Sequence, residues 1–144
     1  MQTVHATAVA LGDAAVLIRG APGSGKSDLA LRLIDGGGIL VADDRTALRI
    51  LGNRVIASAP AAIAGRMEVR GLGIVRVPFQ ADAPVGLVID LIAPDAMETV
   101  ERLPEPRFAD LCGIRLPCLR MRAFESSAPA KIRLAMRLGP ADME

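Results

Sequence analysis

The stretch Gly20-Ala21-Pro22-Gly23-Ser24-Gly25-Lys26-Ser27 fits the pattern G-x-x-x-x-G-K-[ST]. Ahead of it, the apolar run from Ala14 to Arg19 predicts a buried strand. Behind it, leucines at helical spacing predict a helix to about Asp35, which Gly36-Gly37-Gly38 close. Strand, glycine-rich turn and helix in this order are the P-loop arrangement, so the stretch predicts a phosphate-binding loop in an α/β fold.

The residue types of this loop suit a nucleoside triphosphate. Glycines let the backbone wrap a phosphate, and the N–H groups converge on it at the positive end of the helix. Lys26 is placed to reach the β- and γ-phosphates, and the Ser27 hydroxyl to complete the shell of a Mg²⁺ ion. We therefore expect the loop to bind ATP with Mg²⁺. A dinucleotide loop fits less well because its glycine spacing differs, and the plain alternative is a glycine-rich turn with an exposed Lys26.

Two consecutive aspartates follow the next apolar strand. The run from Ile39 to Ala42 predicts a buried strand, and Asp43 and Asp44 stand at its end, where the metal-binding carboxylate of a P-loop enzyme belongs. Phosphoryl transfer to a hydroxyl also needs a base. Neighbouring strand residues point to opposite faces, so one aspartate is expected to face the nucleotide unless the chain bends there. The alternative is a turn that merely ends the strand.

The rest of the chain predicts short strands, hairpins and two further helices. Gly12-Asp13 and Gly52-Asn53 are two-residue hairpin signals. One helix is expected over Pro94 to Arg102, and another after Ser126-Ser127, with Pro129 in its first turn, ending near Leu138 before Gly139. The other predicted strands are Val4 to Leu11, Ala47 to Leu51, Arg54 to Ala57, Ile74 to Val77, Val85 to Leu91 and Ile114 to Arg120. Hairpins mixed with crossovers favour a mixed β-sheet with flanking helices.

The amino-acid composition argues against nucleic-acid binding, membrane binding and a structural zinc site. The 144 residues suit one domain, 51% are hydrophobic, and the net charge of +1 gives no bulk field for nucleic acid or an anionic membrane. Three Phe without Trp or Tyr do not supply a surface for single-stranded nucleic acid. Cys112, Cys118 and His5 are too few for a structural zinc site. The first residues lack the pattern of a secretory signal, so we expect a cytoplasmic protein.

Several motifs, in chain order, resemble the C-terminal catalytic domain of the bacterial HPr kinase/phosphorylases. They are His5, the P-loop, Leu40-Val41-Ala42-Asp43-Asp44, and Glu68-Val69-Arg70-Gly71-Leu72-Gly73-Ile74, which is similar to the family signature Glu-Ile-Arg-Gly-Ile-Gly-Ile. The resemblance extends from about His5 to at least Arg102, most of the chain. It implies an α/β fold of the PEP-carboxykinase-like type and a single P-loop kinase catalytic domain over residues 1–144. It also implies a short form without the N-terminal domain of longer members, and a hexamer.

The activity that the resemblance implies is transfer of phosphate from ATP to a serine of HPr, the phosphocarrier of the sugar phosphotransferase system. One aspartate of the pair acts as base in the family; the spacing from Lys26 favours Asp44, with Asp43 as the alternative. The family metal is held by residues that correspond to Ser27 and Glu68, and Asp43 is a further candidate ligand.

Additional basic residues enter through the same resemblance. The family His corresponds to His5 and lies near the catalytic aspartate, and a family Arg corresponds to Arg102. Independently of the resemblance, the arginines beside Glu68 and in the next strand, Arg70 and Arg76, are candidates for charge stabilisation of the incoming phosphoprotein.

The chain departs from the family near its end. Longer members carry Pro-Val-x-Pro-Gly-Arg-Asn, a segment tied to dephosphorylation, whereas Pro117 to Ser127 lacks Gly-Arg-Asn. We therefore expect a kinase whose reverse reaction, phosphorolysis, is weak. Lys131, Arg133 and Arg137 of the last helix predict a solvated basic face or, alternatively, a docking surface for a partner protein or a neighbouring subunit. A small-molecule P-loop kinase and a nucleotide-sensing module without transfer activity are the alternative functions.

Overall fold

The structure, a computed structural model, describes residues 1–138. This part of the chain forms ten strands, two α-helices and one short 3-10 turn. The strands are β1 (Gln2–Leu11), β2 (Ala14–Arg19), β3 (Ile39–Ala42), β4 (Arg45–Leu51), β5 (Arg54–Ser58), β6 (Arg66–Val69), β7 (Gly73–Arg76), β8 (Asp82–Leu91), β9 (Arg107–Leu111) and β10 (Ile114–Met121). The helices are α1 (Lys26–Asp35) and α2 (Ala128–Arg137), and the 3-10 turn is Ala61–Ile63.

Both predicted hairpins are confirmed. In the first, Leu11 of β1 pairs with Ala14 of β2, and in the second, Leu51 of β4 pairs with Arg54 of β5. Each two-residue turn begins with a glycine at positive φ, a backbone conformation that costs glycine little.

Two ten-residue strands, β1 and β8, each pair with three other strands along their length. The first half of β1 pairs with β4 and its second half with β2. The start of β8 pairs antiparallel with β5, and the remainder pairs parallel with β2. Because β4 also pairs with β5, strands β1, β2, β8, β5 and β4 form a closed circuit of pairings. The mixed α/β sheet that the sequence predicts is confirmed, and it closes on itself.

The sheet brings the P-loop and the aspartate pair to one edge. Strand β1 lies between β2 and β3 and is antiparallel to both, so β2 and β3 run in the same direction. The register places the ends of β2 and β3, Arg19 and Ala42, opposite Ala6 and Ala8 of β1. The P-loop follows β2 and Asp43 follows β3, so both start from this edge.

The core has two parts, one on each face of the sheet. The helix-side part packs α1 and α2 on the sheet and includes Val16, Ile18, Leu29, Leu33, Ile89 and Ile132. The other part fills the closed circuit with smaller side chains and includes Ala6, Ala8, Leu17, Val41, Leu48 and Val88. No helix within residues 1–138 is long and apolar enough to cross a membrane.

The helix predicted over Pro94 to Arg102 is wrong. This segment makes one turn, closed by the Ala96 N–H on the Ala93 carbonyl, and then runs irregularly. Met97 is 98% exposed, so the segment has no apolar face to bury and a helix would gain no packing. Instead, the Arg122 guanidinium donates hydrogen bonds to the carbonyls of Ala93, Ala96 and Glu98.

The last predicted helix is confirmed as α2, with a proline in its first turn. Gly139, expected to follow it, lies outside the described residues. The basic face is only partly as predicted. Lys131 and Arg137 are exposed, but half-buried Arg133 donates to the Leu33 carbonyl at the end of α1 and so ties the two helices together.

Candidate active site

The P-loop joins β2 to α1 in the predicted place. Gly23 and Gly25 adopt positive φ values of 82° and 101°, which turn the backbone around the loop. Gly25 is the N-cap of α1, and within the described chain no side chain caps this helix. The first N–H groups of α1 are therefore free for an anion, and the positive end of the helix dipole favours one.

Close packing explains why the loop begins with glycine. A methyl group on Gly20 would overlap the Ser24 hydroxyl and lie 3.1 Å from Leu91 Cβ. Ser24 is almost fully buried, and its hydroxyl has no hydrogen-bond partner in the described part of the molecule. The base of the loop thus has no room for a side chain at Gly20.

Lys26 points back over the loop. Its ammonium donates hydrogen bonds to the carbonyl oxygens of Gly20 at 2.7 Å and Ala21 at 3.3 Å. A cation is therefore held directly above the backbone that the sequence predicts to wrap a phosphate.

Asp43 is the centre of a hydrogen-bond network. Its side chain is buried, and Oδ1 accepts from the hydroxyls of Ser27 at 2.8 Å and Thr7 at 3.1 Å. Oδ2 accepts from the backbone N–H of Glu68 at 3.0 Å. Three donors from three separate elements compensate the burial of this carboxylate. The network brings the P-loop serine and the aspartate together.

Asp44 is exposed, unlike its neighbour. Its φ of 68° lies in the left-handed region, so the chain bends sharply at the end of β3. The bend lets Asp43 face the P-loop while Asp44 faces solvent beside it. Its backbone is fixed on both sides, because its N–H donates to Thr7 Oγ1 at 3.1 Å and its carbonyl accepts from the Ala6 N–H at 3.0 Å.

Thr7 is a site residue that the sequence interpretation missed. It is fully buried in β1 and contacts both aspartates, donating to Asp43 and accepting from the N–H of Asp44. One sequence signal was available. Thr7 is the single polar residue in the apolar run Ala6 to Leu11, and such a residue needs a partner.

The signature segment forms the hairpin of β6 and β7. Met67 and Val69 face the helix-side core, whereas Glu68, Arg70 and Arg76 are exposed. The N–H of Glu68 bonds Asp43, which places the hairpin at the edge of the site. Within residues 1–138, no three His, Cys, Asp or Glu side chains cluster as a metal site. The Ser27 hydroxyl and Asp43 bring two oxygen ligands together at the P-loop, a set that suits Mg²⁺, which uses few protein ligands and keeps several waters.

Of the two remaining predicted site residues, His5 lies near the aspartate pair, whereas within the described chain Arg102 makes no polar contact that joins it to the site. His5 is exposed and pairs across β1 and β4 with Arg45, the residue after Asp44, so the fold brings it to the aspartate pair. Arg102 lies in the irregular segment before β9. It is exposed, and no hydrogen bond or ion pair among the described residues joins it to the site.

An ion pair fixes the strand from which the P-loop starts. The Arg19 guanidinium bonds both carboxylate oxygens of Asp90 on β8, with Nε to Oδ1 at 2.8 Å and Nη2 to Oδ2 at 3.0 Å. Burial opposes ionisation of Asp90, but the hydrogen bonds and charge of Arg19 outweigh it, so the pKa of Asp90 lies below its ordinary value. Burial raises the pKa of the neighbouring Cys118 thiol to about 11, and the charge of Asp90 adds to the shift.

The strand, glycine-rich loop and helix, with a carboxylate bonded to the loop serine, define a P-loop domain of mixed α/β type. The family model described as "HPr Serine kinase C-terminal domain" matches residues 1–133, and the chain belongs to this family. Among solved structures, the Hpr(Ser) kinase/phosphatase from Coxiella burnetii has a TM-score of 0.81 and 31% sequence identity, with 95% of each chain covered.

Curated relatives agree with the family match. The HPr kinase/phosphorylase of Malacoplasma penetrans is 29% identical over 79% of this chain and 41% of its own length. The corresponding protein of Lactobacillus acidophilus is 34% identical over 80% of this chain and 38% of its own length. The chain thus spans about two fifths of the length of these relatives.

Proposed function

We propose that this chain is an ATP-dependent serine kinase that phosphorylates HPr, with residues 1–144 as one catalytic domain. The observation that carries the proposal is the bond of 2.8 Å between the P-loop Ser27 hydroxyl and Asp43, with Asp44 exposed beside it. A phosphate loop, a metal-binding pair and a separate carboxylate are the parts that phosphoryl transfer to a hydroxyl requires.

Ser27 and Asp43 would hold the metal. Because the Ser27 hydroxyl donates its hydrogen bond to Asp43, its oxygen lone pairs remain available to a cation. Glu68 is the proposed further ligand, since its N–H already bonds Asp43 and its side chain is exposed at the same edge. When bound, Mg²⁺ would neutralise charge on the β- and γ-phosphates.

Lys26 and the α1 N-terminus would hold the phosphates. The Lys26 ammonium would exchange its bonds to the loop carbonyls for bonds to phosphate oxygens, which are stronger acceptors. The first N–H groups of α1 would donate to the same anion.

Asp44 is the proposed base. It would accept the proton of the substrate serine hydroxyl as that oxygen bonds the γ-phosphorus and the bond to the leaving ADP oxygen breaks, with its electron pair remaining on ADP. Asp43 is less suited, because both of its oxygens already accept hydrogen bonds. His5 adjoins the pair and is proposed to act beside Asp44, and the exposed Arg70 and Arg76 are proposed to stabilise charge on the reacting phosphate. For Arg102, only the family resemblance supports a role.

The reverse reaction stays a separate prediction. The relatives are called kinase/phosphorylase or kinase/phosphatase. Without Gly-Arg-Asn between Pro117 and Ser127, we expect this chain to release little pyrophosphate from phosphoserine-HPr and inorganic phosphate. Release near the forward rate would contradict this. The hexamer and the cytoplasmic location likewise stay predictions.

The test is mass spectrometry of HPr after incubation with the protein, ATP and Mg²⁺. We expect one added phosphate, on a serine. Asp44→Asn should abolish transfer and preserve ATP binding, whereas Asp13→Asn, in the exposed turn at the far end of β1, should leave both unchanged. Tight ATP binding without transfer would contradict the proposal and favour a small-molecule acceptor or a nucleotide sensor.

A further inference from the structure

A hollow adjoins the P-loop at the ends of β8 and β10. It has a volume of about 230 Å³ and is lined by Ile92, Pro94, Arg122, Ala123, Phe124 and Glu125. Strands β2, β8 and β10 are parallel neighbours, so the segments after β8 and β10 leave the sheet at the same edge as the P-loop. Ligands of α/β sheets bind outside such an edge, and a nucleotide held by the P-loop would extend over it.

The hollow and the P-loop share a wall. A methyl group on Gly25 would lie 2.7 Å from Ala123 Cβ and 2.9 Å from Phe124 Cζ, so both side chains pack directly on the last glycine of the loop. Arg32 of α1 fixes this arrangement, because its guanidinium donates to the carbonyls of Ala123 and Glu125. The distance from the hollow to the phosphate loop is therefore set by the same helix that would bind the phosphates.

Phe124 offers an open aromatic surface in this hollow. It is 58% exposed although one edge packs on Gly25. The Phe108 ring, by contrast, is covered by the Arg115 guanidinium at 3.8 Å. An exposed aromatic ring beside a phosphate loop can stack a purine base.

The charged side chains of the hollow are already engaged. Arg122 bonds three carbonyls of the segment after β8, and the Glu125 carboxylate accepts from Lys131 at 3.0 Å. Stacking and apolar contact are therefore the interactions that remain for a ligand.

We infer that this hollow seats the purine base of the nucleotide, stacked on Phe124 and bordered by Ile92 and Pro94. The inference rests on the proposed nucleotide site and adds the residues that distinguish a nucleotide from a bare polyphosphate.

The experiment compares binding of ATP and of inorganic tripolyphosphate, each with Mg²⁺, by calorimetry. The intact protein should bind ATP more tightly. Phe124→Ala should weaken ATP binding about five-fold or more and leave tripolyphosphate binding within about two-fold, because stacking is lost but the phosphate loop remains. Phe108→Ala, half-exposed on β9, is the matched control and should change neither.

A second variant tests whether Phe124 contacts the base or only supports the structure of the loop. The chain has no Trp and no Tyr, so Phe124→Trp provides a single fluorophore that retains packing on Gly25. ATP should change its emission and tripolyphosphate should not. Three results would overturn the inference while leaving the phosphate site in place. Phe124→Ala could weaken ATP and tripolyphosphate binding equally, the Phe124→Trp emission could respond equally to both ligands, or the intact protein could bind both with equal affinity. Failure of the intact protein to bind either ligand would overturn the proposed function and this inference together.

Discussion

One buried hydroxyl connects the two aspartates of the site. Thr7 Oγ1 donates to the Asp43 carboxylate and accepts from the Asp44 N–H, each at 3.1 Å. The bend that exposes Asp44 is therefore coupled to the carboxylate that contacts the P-loop serine. If Asp44 is the base, Thr7 is a positioning residue for it.

Replacing Thr7 tests this coupling. Thr7→Val keeps the shape but removes the hydroxyl, leaving the Asp44 N–H without a partner, so we expect a loss of about 1–3 kcal/mol in the free energy of unfolding. We also expect kcat for HPr phosphorylation to fall about ten-fold or more, with KM for ATP nearly unchanged. Thr7→Ser retains the hydroxyl and should restore most of kcat. Normal turnover by Thr7→Val, measured at a temperature where it is folded, would rule out the positioning role.

The sequence predicted part of this residue network. Ser27 and Asp43 stand at motif positions, so their proximity follows from the P-loop arrangement, and the structure places the Ser27 hydroxyl 2.8 Å from Asp43 Oδ1. Thr7 belongs to no motif. Its contact with Asp43 spans 36 positions and depends on the register of β1 against β3, which nothing local in the sequence specifies.

The conformation of the P-loop depends on close packing as well as on its glycine turns. Gly20 has neighbours on two sides, Ser24 within the loop and Leu91 at the end of β8. A side chain at this position would contact both neighbours.

A methyl group at Gly20 should therefore disturb the whole loop. For Gly20→Ala we expect a loss of about 1–3 kcal/mol in the free energy of unfolding, typical of an overpacked site, and weaker ATP binding. The double variant Gly20→Ala with Ser24→Ala removes the overlapping hydroxyl and should recover much of both. Urea unfolding and calorimetry measure the two effects. A double variant no better than Gly20→Ala would show that the contact with Leu91, not the overlap with the Ser24 hydroxyl, requires the glycine.

Elements were predictable where local chemistry determines them. The turns at Gly12-Asp13 and Gly52-Asn53 carry strong hairpin signals and were predicted correctly. The hairpin of β9 and β10 turns at Cys112-Gly113, and β9 was missed because Cys112 adopts a φ of 53° that its residue type does not indicate. The segment from Pro94 to Arg102 was misinterpreted because its organising residue, Arg122, lies far along the chain.

The closed circuit of strands makes the whole molecule depend on a few distant pairings. Sequence patterns predicted a mixed sheet but not its closure, because closure requires β8 to pair with both β2 and β5. Arg19 and Asp90 reinforce one of these pairings through an ion pair across 71 positions, directly before the P-loop. The same contact therefore belongs to the global fold and to the start of the site.

The pH dependence of stability should reveal this ion pair. The pKa of Asp90 in the folded protein is below its ordinary value of 3.8, so its ionised form favours the folded state. Its contribution is complete above about pH 4 and is lost as the pH falls through the lowered pKa. Both side chains are about a third exposed and solvent screens the pair, so we expect Asp90→Asn to lower the free energy of unfolding at pH 7 by about 1 kcal/mol or less.

The pH dependence of the stability difference between Asp90→Asn and the parent chain distinguishes a charge effect from a packing effect. Urea unfolding should show Asp90→Asn less stable than the parent chain at pH 7, with the gap narrowing below pH 4 as the parent's carboxylate takes up a proton. Asp82→Asn is the matched control, because Asp82 forms a comparable pair with Arg49 at 3.1 Å on the exposed surface. We expect the free energy of unfolding of Asp82→Asn to differ little from that of the parent chain from pH 7 to pH 3. The stability difference between Asp90→Asn and the parent chain could instead be the same from pH 7 to pH 3. It would then arise from packing between β2 and β8 rather than from charge, and the ion pair would not be what secures the strand that leads into the P-loop.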